Sequence, residues 1–254
     1  QPSLLKSQNE NDVQFIWDQD YYNINKYNDD DLVRVDIKGM LRSIRIANLV
    51  IKPVSYNPVK GTIKVIKNIE FNIYFDEADH NKTARIKEKY YSPYYENIYQ
   101  TITNYKSPDL RSDLVNYPVT YVIITNPIFE NNLSDFINWQ IQRGFNVVVG
   151  NTADIGSSTS AIKNFIQNLY DNPTDELPAP SFVLFVGDVT QVPTYNGSTG
   201  GHVTDLYYCE FTGDFIPEIY HGRFSAENLS QLQSQIDKTL EYEKYEMPDP
   251  SYLE

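Results

Sequence analysis

Val119-Thr120-Tyr121-Val122-Ile123-Ile124-Thr125 and Phe182-Val183-Leu184-Phe185-Val186-Gly187-Asp188 decide the fold of this chain. Neither run alternates between apolar and polar. A strand that is apolar on both faces is covered on both, as in parallel sheets flanked by helices. The intervening residues agree. Phe129, Leu133, Phe136, Ile137 and Ile141 fall on one helical face, Gly144 closes that helix, and Phe145 to Val149 reads as a second strand. Ser157-Ser158-Thr159-Ser160 offers N-caps to a helix whose face is Ile162, Phe165, Ile166 and Leu169. Pro178 and Pro180 stop the chain before the strand at Phe182. A further strand is expected from Glu218 to Phe224, then a helix capped by Ser225 with Leu229, Leu232, Ile236 and Leu240 inward. This alternation predicts a mostly parallel sheet with crossover helices.

Upstream the period is two. Val33, Val35 and Ile37 alternate with polar residues, as do Ile44 and Ile46, Leu49 and Ile51, Ile63 and Val65, and Ile69, Phe71, Ile73 and Phe75. Pro58 to Gly61 is a turn cluster between two such runs. The pattern predicts several antiparallel strands, one face buried and one wet. Residues 1–30 read as an irregular polar lead-in. Residues 77–116 read as a linker that packs through its tyrosines, Tyr90-Tyr91-Ser92-Pro93-Tyr94-Tyr95 above all. The change of period divides the chain into a β-rich part, 1–111, and an α/β part, 112–254, and makes it α+β overall. No self-similarity at the period of repeat architectures, about 20–50 residues, is present.

The 254 residues carry a formal net charge of −13, which argues against nucleic acid or an anionic membrane surface as a partner. No apolar run approaches the ~20 residues of a membrane span. One Cys excludes a disulfide framework and a Cys-rich zinc site. The hydrophobic share, 41%, is enough for a packed core. The first residues, Gln1-Pro2, lack Met, as expected of a processed or partial chain.

Ligands in open parallel sheets bind beyond the carboxyl ends of strands, so Asp188, just after Gly187, is a candidate rim carboxylate; its plainer role is a loop cap. Asp214 and Glu218 flank a loop in Phe211-Thr212-Gly213-Asp214-Phe215-Ile216-Pro217-Glu218. Calcium takes six to eight oxygens and mixes carboxylates with carbonyls. Asp188, Asp214 and Glu218 converge if their two strands are neighbours, and otherwise cap their own loops. Cys209 with His202 and His221 has the residue types of a thiol nucleophile and its base, but Leu206-Tyr207-Tyr208-Cys209 reads as a core segment. His80 reads as solvated within a charged run. Gly197 to Gly201 is glycine-rich but opens no helix, so it is not a phosphate cradle.

Several motifs then share order and spacing. Gly144-Phe145-Asn146-Val147, Phe182 to Asp188, Asp205-Leu206-Tyr207-Tyr208, Gly222-Arg223-Phe224-Ser225 and Gln235 to Glu243 resemble the gingipain family of secreted cysteine endopeptidases from Bacteroidetes. The resemblance covers about 117–246. Ala47 to Val54 and Tyr90 to Tyr95 resemble, more weakly, the family's amino-terminal pro-region.

The resemblance implies a β-sandwich-type pro-domain followed by the first of two caspase-like α/β subdomains. It implies that the catalytic His and Cys belong to the second subdomain, downstream or on a separate chain. Gly201-His202 precedes Gly-Arg-Phe-Ser, the wrong order for the family's Gly-His, and Cys209 comes too early; no catalytic residue is assigned in this chain. The resemblance also implies a structural calcium held by Asp188, Asp214 and Glu218, with backbone oxygens of Phe211 and Ile216. Peptide substrates and a secreted or cell-surface location follow from it. The rival reading is a non-hydrolytic binding or secretion-assembly module on a peptidase-like scaffold; a weaker one is a calcium-dependent carbohydrate-binding protein. Arg111, in the linker, is the expected cleavage residue if the pro-region is removed.

Overall fold

The computed structural model describes residues 9, 17–28, 31–76, 78–107, 118–198 and 200–246. Arg111, Pro248-Asp249-Pro250 and most of the lead-in lie outside the described residues. The chain divides into two compact units, one of Gln1–Ile37 with Ala47–Ala78, the other of Lys38–Ile46 with Asp79–Glu254.

The first unit opens with α1 (Gln19–Tyr22), capped by the Asp18 carboxylate, which accepts from the Tyr21 N–H at 2.9 Å. Strands β1 (Val33–Leu41) and β2 (Ile44–Ile51) form a two-stranded sheet. Only Arg42 and Ser43 join them, and so short a connection closes an antiparallel pair. Its tip, Lys38–Ile46, belongs to the second unit. Strand β3 (Val54–Asn57) pairs antiparallel with β4 (Thr62–Val65), Val54 opposite Val65. The Asn57 side chain accepts from the Lys60 N–H at 3.0 Å and shapes the turn expected at 58–61.

Two expectations are corrected here. Ile69, Phe71, Ile73 and Phe75 alternate, yet 66–75 forms no strand, and Phe75 is 72% exposed. Alternation prepares a face, but a strand also needs a neighbour for its N–H and C=O groups, and among the described residues no other strand joins the β3–β4 sheet. The buried-face expectation fails on β4, which is exposed throughout. Among the described residues the four strands form two separate two-stranded sheets.

The second unit begins with α2 (His80–Tyr90), where the sequence reads as a charged linker; Asp79 caps it, accepting from the Lys82 N–H at 2.9 Å. A 3-10 turn and α3 (Glu96–Tyr99) follow. The segment does pack through its tyrosines. Tyr90 stacks on Tyr170 at 4.8 Å, and Tyr95 stacks on Tyr220 at 4.3 Å. Then come β5 (Val119–Thr125), α4 (Ser134–Gln142), β6 (Phe145–Asn151), α5 (Thr152–Ile155), α6 (Thr159–Asp171) and β7 (Phe182–Val186). The short hairpin β8 (Tyr195–Asn196) and β9 (Val203–Thr204) leads into α7 (Leu206–Cys209), β10 (Tyr220–Phe224) and α8 (Leu229–Lys244).

Strands β10, β7, β5 and β6 lie in that order, every pair parallel. Adjacent residues of β5 serve opposite layers. Val122 and Ile124 pack with Ile162 and Ile166 of α6, whereas Ile123 packs with Phe136, Leu232 and Ile236 from α4 and α8. This is why the run does not alternate. Gly144, at φ +93, ends the helix before β6 as expected, and the Ser158 hydroxyl caps α6 by accepting from the Ala161 N–H at 3.1 Å. Two helix details differ. Ile141 is 53% exposed, on the last turn of α4. Asn228, not Ser225, caps α8, accepting from the Gln231 N–H at 3.1 Å, and Leu229 is exposed.

Candidate functional site

The loop between α7 and β10 gathers the carboxylates. Its base is closed by the Glu218 N–H, which donates to the Cys209 carbonyl at 2.8 Å. Gly213 (φ +79) and Phe215 (φ +66) take left-handed backbone, which folds the loop on itself. The carboxylates then turn onto the loop's own amides. Glu218 accepts from the Phe211 N–H at 2.8 Å, and Glu210 accepts from the N–H groups of Gly213 and, at 3.0 Å, of Asp214. Asp214 accepts from the Ile216 N–H at 2.8 Å and from the Met40 N–H at 2.6 Å. Lys163 Nζ donates to the Glu210 carbonyl at 2.9 Å.

These surroundings split the titrations. Burial, then the negative charges of Asp214 and Glu210, pushes the Glu218 carboxyl up to about 7, although the Phe211 N–H opposes this. Burial acts upward on Asp214 as well, but the Met40 and Ile216 amides outweigh it and hold that carboxyl below its usual value.

Phe211, Asp214, Ile216 and Glu218 of the expected calcium set therefore share one loop. Asp188 does not join them. Strands β7 and β10 are indeed neighbours, but parallel, with Phe182 opposite Tyr220 and Val186 opposite Phe224. Glu218 precedes its strand and Asp188 follows its own, so the two stand at opposite sheet edges. Asp188 accepts from the Ser225 hydroxyl at 2.9 Å, and its carbonyl starts a turn by accepting from the Gln191 and Val192 N–H groups. The carboxylate that sequence reasoning missed in this loop is Glu210. Among the described residues, no three His, Cys, Asp or Glu side chains are arranged to hold a metal.

At the carboxyl edge lies a second missed element. Arg223 of β10 donates from Nε to Asp205 at 2.8 Å and from Nη2 at 2.6 Å; Nη1 donates to the Gly187 and Val192 carbonyls at 2.7 and 2.9 Å. This fork ties the end of β7 to the start of α7. A third missed residue is Arg42, 4% exposed. No turn signal marks Leu41-Arg42-Ser43-Ile44.

Cys209 is fully buried against Tyr208 and Phe185, and burial, followed by the charges of Asp205 and Glu218, drives its thiol far above the usual range. His202 and His221 are exposed, so no thiol–imidazole pair forms among them. Gly197 donates to the His202 carbonyl at 2.7 Å within the β8–β9 hairpin. No helix of the described residues is long and apolar enough to cross a membrane.

A solved structure described as "Structure of Protease" superposes on 56% of this chain and 32% of its own, with a TM-score of 0.50 and 38% sequence identity. More than half of this chain thus shares its fold with about a third of a protease, and among the described residues no nucleophile and base are assembled. Residues 115–253 match the model of peptidase family C25, and residues 1–107 match the C25 propeptide. The chain belongs to peptidase family C25. It is 36% identical to Lys-gingipain of Porphyromonas gingivalis over 256 aligned residues, covering 100% of this chain and 15% of that protein. Gingipain R2 of the same organism is 27% identical over 246 residues, 95% of this chain and 32% of that protein. The chain thus spans less than a third of these curated relatives, and carries a pro-region followed by the first part of a cysteine-peptidase domain.

Proposed function

We propose that this chain is the amino-terminal part of a secreted or cell-surface cysteine endopeptidase zymogen. Residues 1–111 form a pro-region of β-sandwich type, and 112–254 form the first of two caspase-like subdomains. The thiolate that attacks the peptide carbonyl, and the His that shuttles its proton, lie on a second subdomain beyond residue 254. One observation carries this: a C25 propeptide match and a C25 peptidase match follow each other in a chain whose single Cys is sealed in the core. Treating the full-length enzyme with an irreversible thiol-directed peptide label, then locating the adduct by mass spectrometry, tests it. The adduct is expected on a Cys beyond residue 254. Labelling of Cys209 alone, or no labelled Cys once the full-length protein has been cut and its pro-region removed, refutes it and favours the non-hydrolytic assembly module.

We further propose that the 210–218 loop holds a structural calcium through Asp214, Glu218 and the carbonyl oxygens of Phe211 and Ile216. Its support is that Asp214 and Glu218 share one loop with the Phe211 and Ile216 carbonyls, and that burial and the Asp214 charge disfavour an ionised Glu218, a cost a divalent ion would offset. Asp188 would need ligands of its own at the other edge. We place the maturation cut after Arg111, between the two family matches; amino-terminal sequencing of the mature enzyme tests it, and a start far from Ser112 refutes it.

A further inference from the structure

We propose that the α/β unit contains a socket for a guanidinium group, built from main-chain carbonyls, and that Arg42 fills it as the side chain that holds the pro-region on the peptidase portion. The proposal takes its setting from the zymogen reading above, but the contacts stand without it.

The backbone of Arg42 is the first observation. Arg42 opens a two-residue hairpin turn at φ +54, a position where Gly or Asn is the usual occupant. An Arg held there, against local preference, points to a demand on its side chain. The second observation is that demand. Nε donates to the Tyr90 carbonyl at 2.8 Å, Nη1 to those of Pro180 and Glu218 at 2.7 and 2.9 Å, and Nη2 to that of Ala179 at 3.2 Å. The guanidinium carbon lies 5.0 Å from the centre of the Tyr95 ring and 5.4 Å from that of Tyr170. A buried cation is tolerated only when its donors are met, and here carbonyls and ring faces meet them.

The third observation is where these groups come from. Arg42, Tyr90 and Tyr95 fall in the propeptide match, and Tyr170, Ala179, Pro180 and Glu218 in the peptidase match. Three of the four carbonyls therefore belong to the peptidase portion and converge on a side chain from the other segment. If Arg42 withdrew, the buried Ala179 and Pro180 carbonyls would lose their donor, and the Glu218 carbonyl would keep only the Tyr95 hydroxyl, at 3.0 Å. Lys, a single point of charge, does not span four divergent carbonyls. The hairpin tip seals the contact. Leu41 is buried with Tyr95 and Tyr99, Ile44 and Ile46 pack on that cluster, and the Met40 N–H is bound by Asp214. The ligand the socket recognises is thus an arginine presented on a β-turn with apolar flanks.

The test starts from the full chain with the recognition sequence of a site-specific protease inserted between Arg111 and Ser112, so that it does not depend on where nature cuts. After cleavage, the two wild-type pieces are expected to co-elute in size exclusion. Arg42→Lys and Arg42→Gly are expected to weaken that association at least tenfold. Glycine is decisive, because it suits the turn better than Arg: a role confined to the turn predicts equal or tighter association. A cyclised peptide of residues 38–46, added to the cleaved wild type, guards against variants that fail to fold. It is expected to displace the pro-piece, whereas the same peptide with Arg42→Lys does not. Wild-type pieces that separate, variants that hold as tightly, or two peptides that compete equally overturn the proposal. Labelling of the full-length enzyme bears on the peptidase reading and leaves this result untouched.

Discussion

Asp188 and Glu218 border strands that pair residue for residue, yet they stand at opposite ends of the sheet. Parallel register sets this: Phe182 meets Tyr220 and Val186 meets Phe224. The residue before one strand and the residue after its neighbour are therefore separated by the strand length. Glu218 is left with Glu210 and Asp214, and Asp188 with Ser225.

Glu218 gives the protein a pH dependence. Its carboxyl is raised from 4.5 to about 7 in the folded state, so between these values the folded chain holds the extra proton. The stability that Glu218 itself contributes is then full below about pH 4.5 and is lost as pH rises through 7. The shift corresponds to at most about 3 kcal/mol. In chelator, Glu218→Gln should match the wild type near pH 4.5 and exceed it by up to that amount at pH 8. Millimolar calcium should raise the wild-type melting point at pH 8 and leave the variant unmoved. Superimposed stability curves for the two proteins from pH 4.5 to 8, with no calcium shift, would remove both claims.

Cys209 should be chemically silent. A chromogenic thiol reagent should register no thiol in the native chain and one per molecule in denaturant, since only the thiolate reacts and burial suppresses it. The chain alone should cleave no Arg, Lys or mixed peptide substrate under reducing conditions. Hydrolysis that disappears in Cys209→Ala would make this thiol the nucleophile after all.

The Arg223–Asp205 fork is largely buried, with side-chain exposures of 12% and 14%. Removing one partner of a buried pair typically costs about 3–5 kcal/mol. Arg223→Ala should lose stability on that scale in urea unfolding, and Arg223→Lys should recover only part of it. A loss under about 1 kcal/mol would mean that the fork merely decorates the edge.

Glycine positions offer a matched pair. A methyl on Gly39 would overlap the Asp214 carboxylate, whereas one on Gly222 meets nothing within 4 Å. Gly39→Ala should lower the melting point by several degrees, and Gly222→Ala should leave it level or raise it. Equal behaviour would show that the hairpin tip does not approach Asp214 so closely.

The parallel sheet was legible because burial on both faces writes itself as an unbroken apolar run, seen in 119–125 and 182–186. Gly144 and Ser158 were legible because their turn and cap chemistry is local. What escaped depended on direction or on partners. Nothing in the spacing of Asp188 and Glu218 says which end of a strand each occupies. The alternation at 69–75 carries no record of whether another strand lies alongside. Asp79 caps a helix inside what composition marks as a linker. Arg42 and Glu210 escaped because their partners are main-chain groups, here carbonyls and loop amides, to which any residue type contributes equally.

The two tryptophans fall one to each compact unit. Trp17 stacks on Tyr22 and is 53% exposed, whereas Trp139 donates through its indole N–H to Glu243 at 2.8 Å, under Lys244. The chain therefore carries a separate intrinsic fluorophore for each half. With Trp139→Phe the remaining emission follows the strand-rich unit alone, and with Trp17→Phe it follows the docking of α8 on α4. Two melting curves from two single substitutions would resolve whether the halves unfold in one step or in sequence.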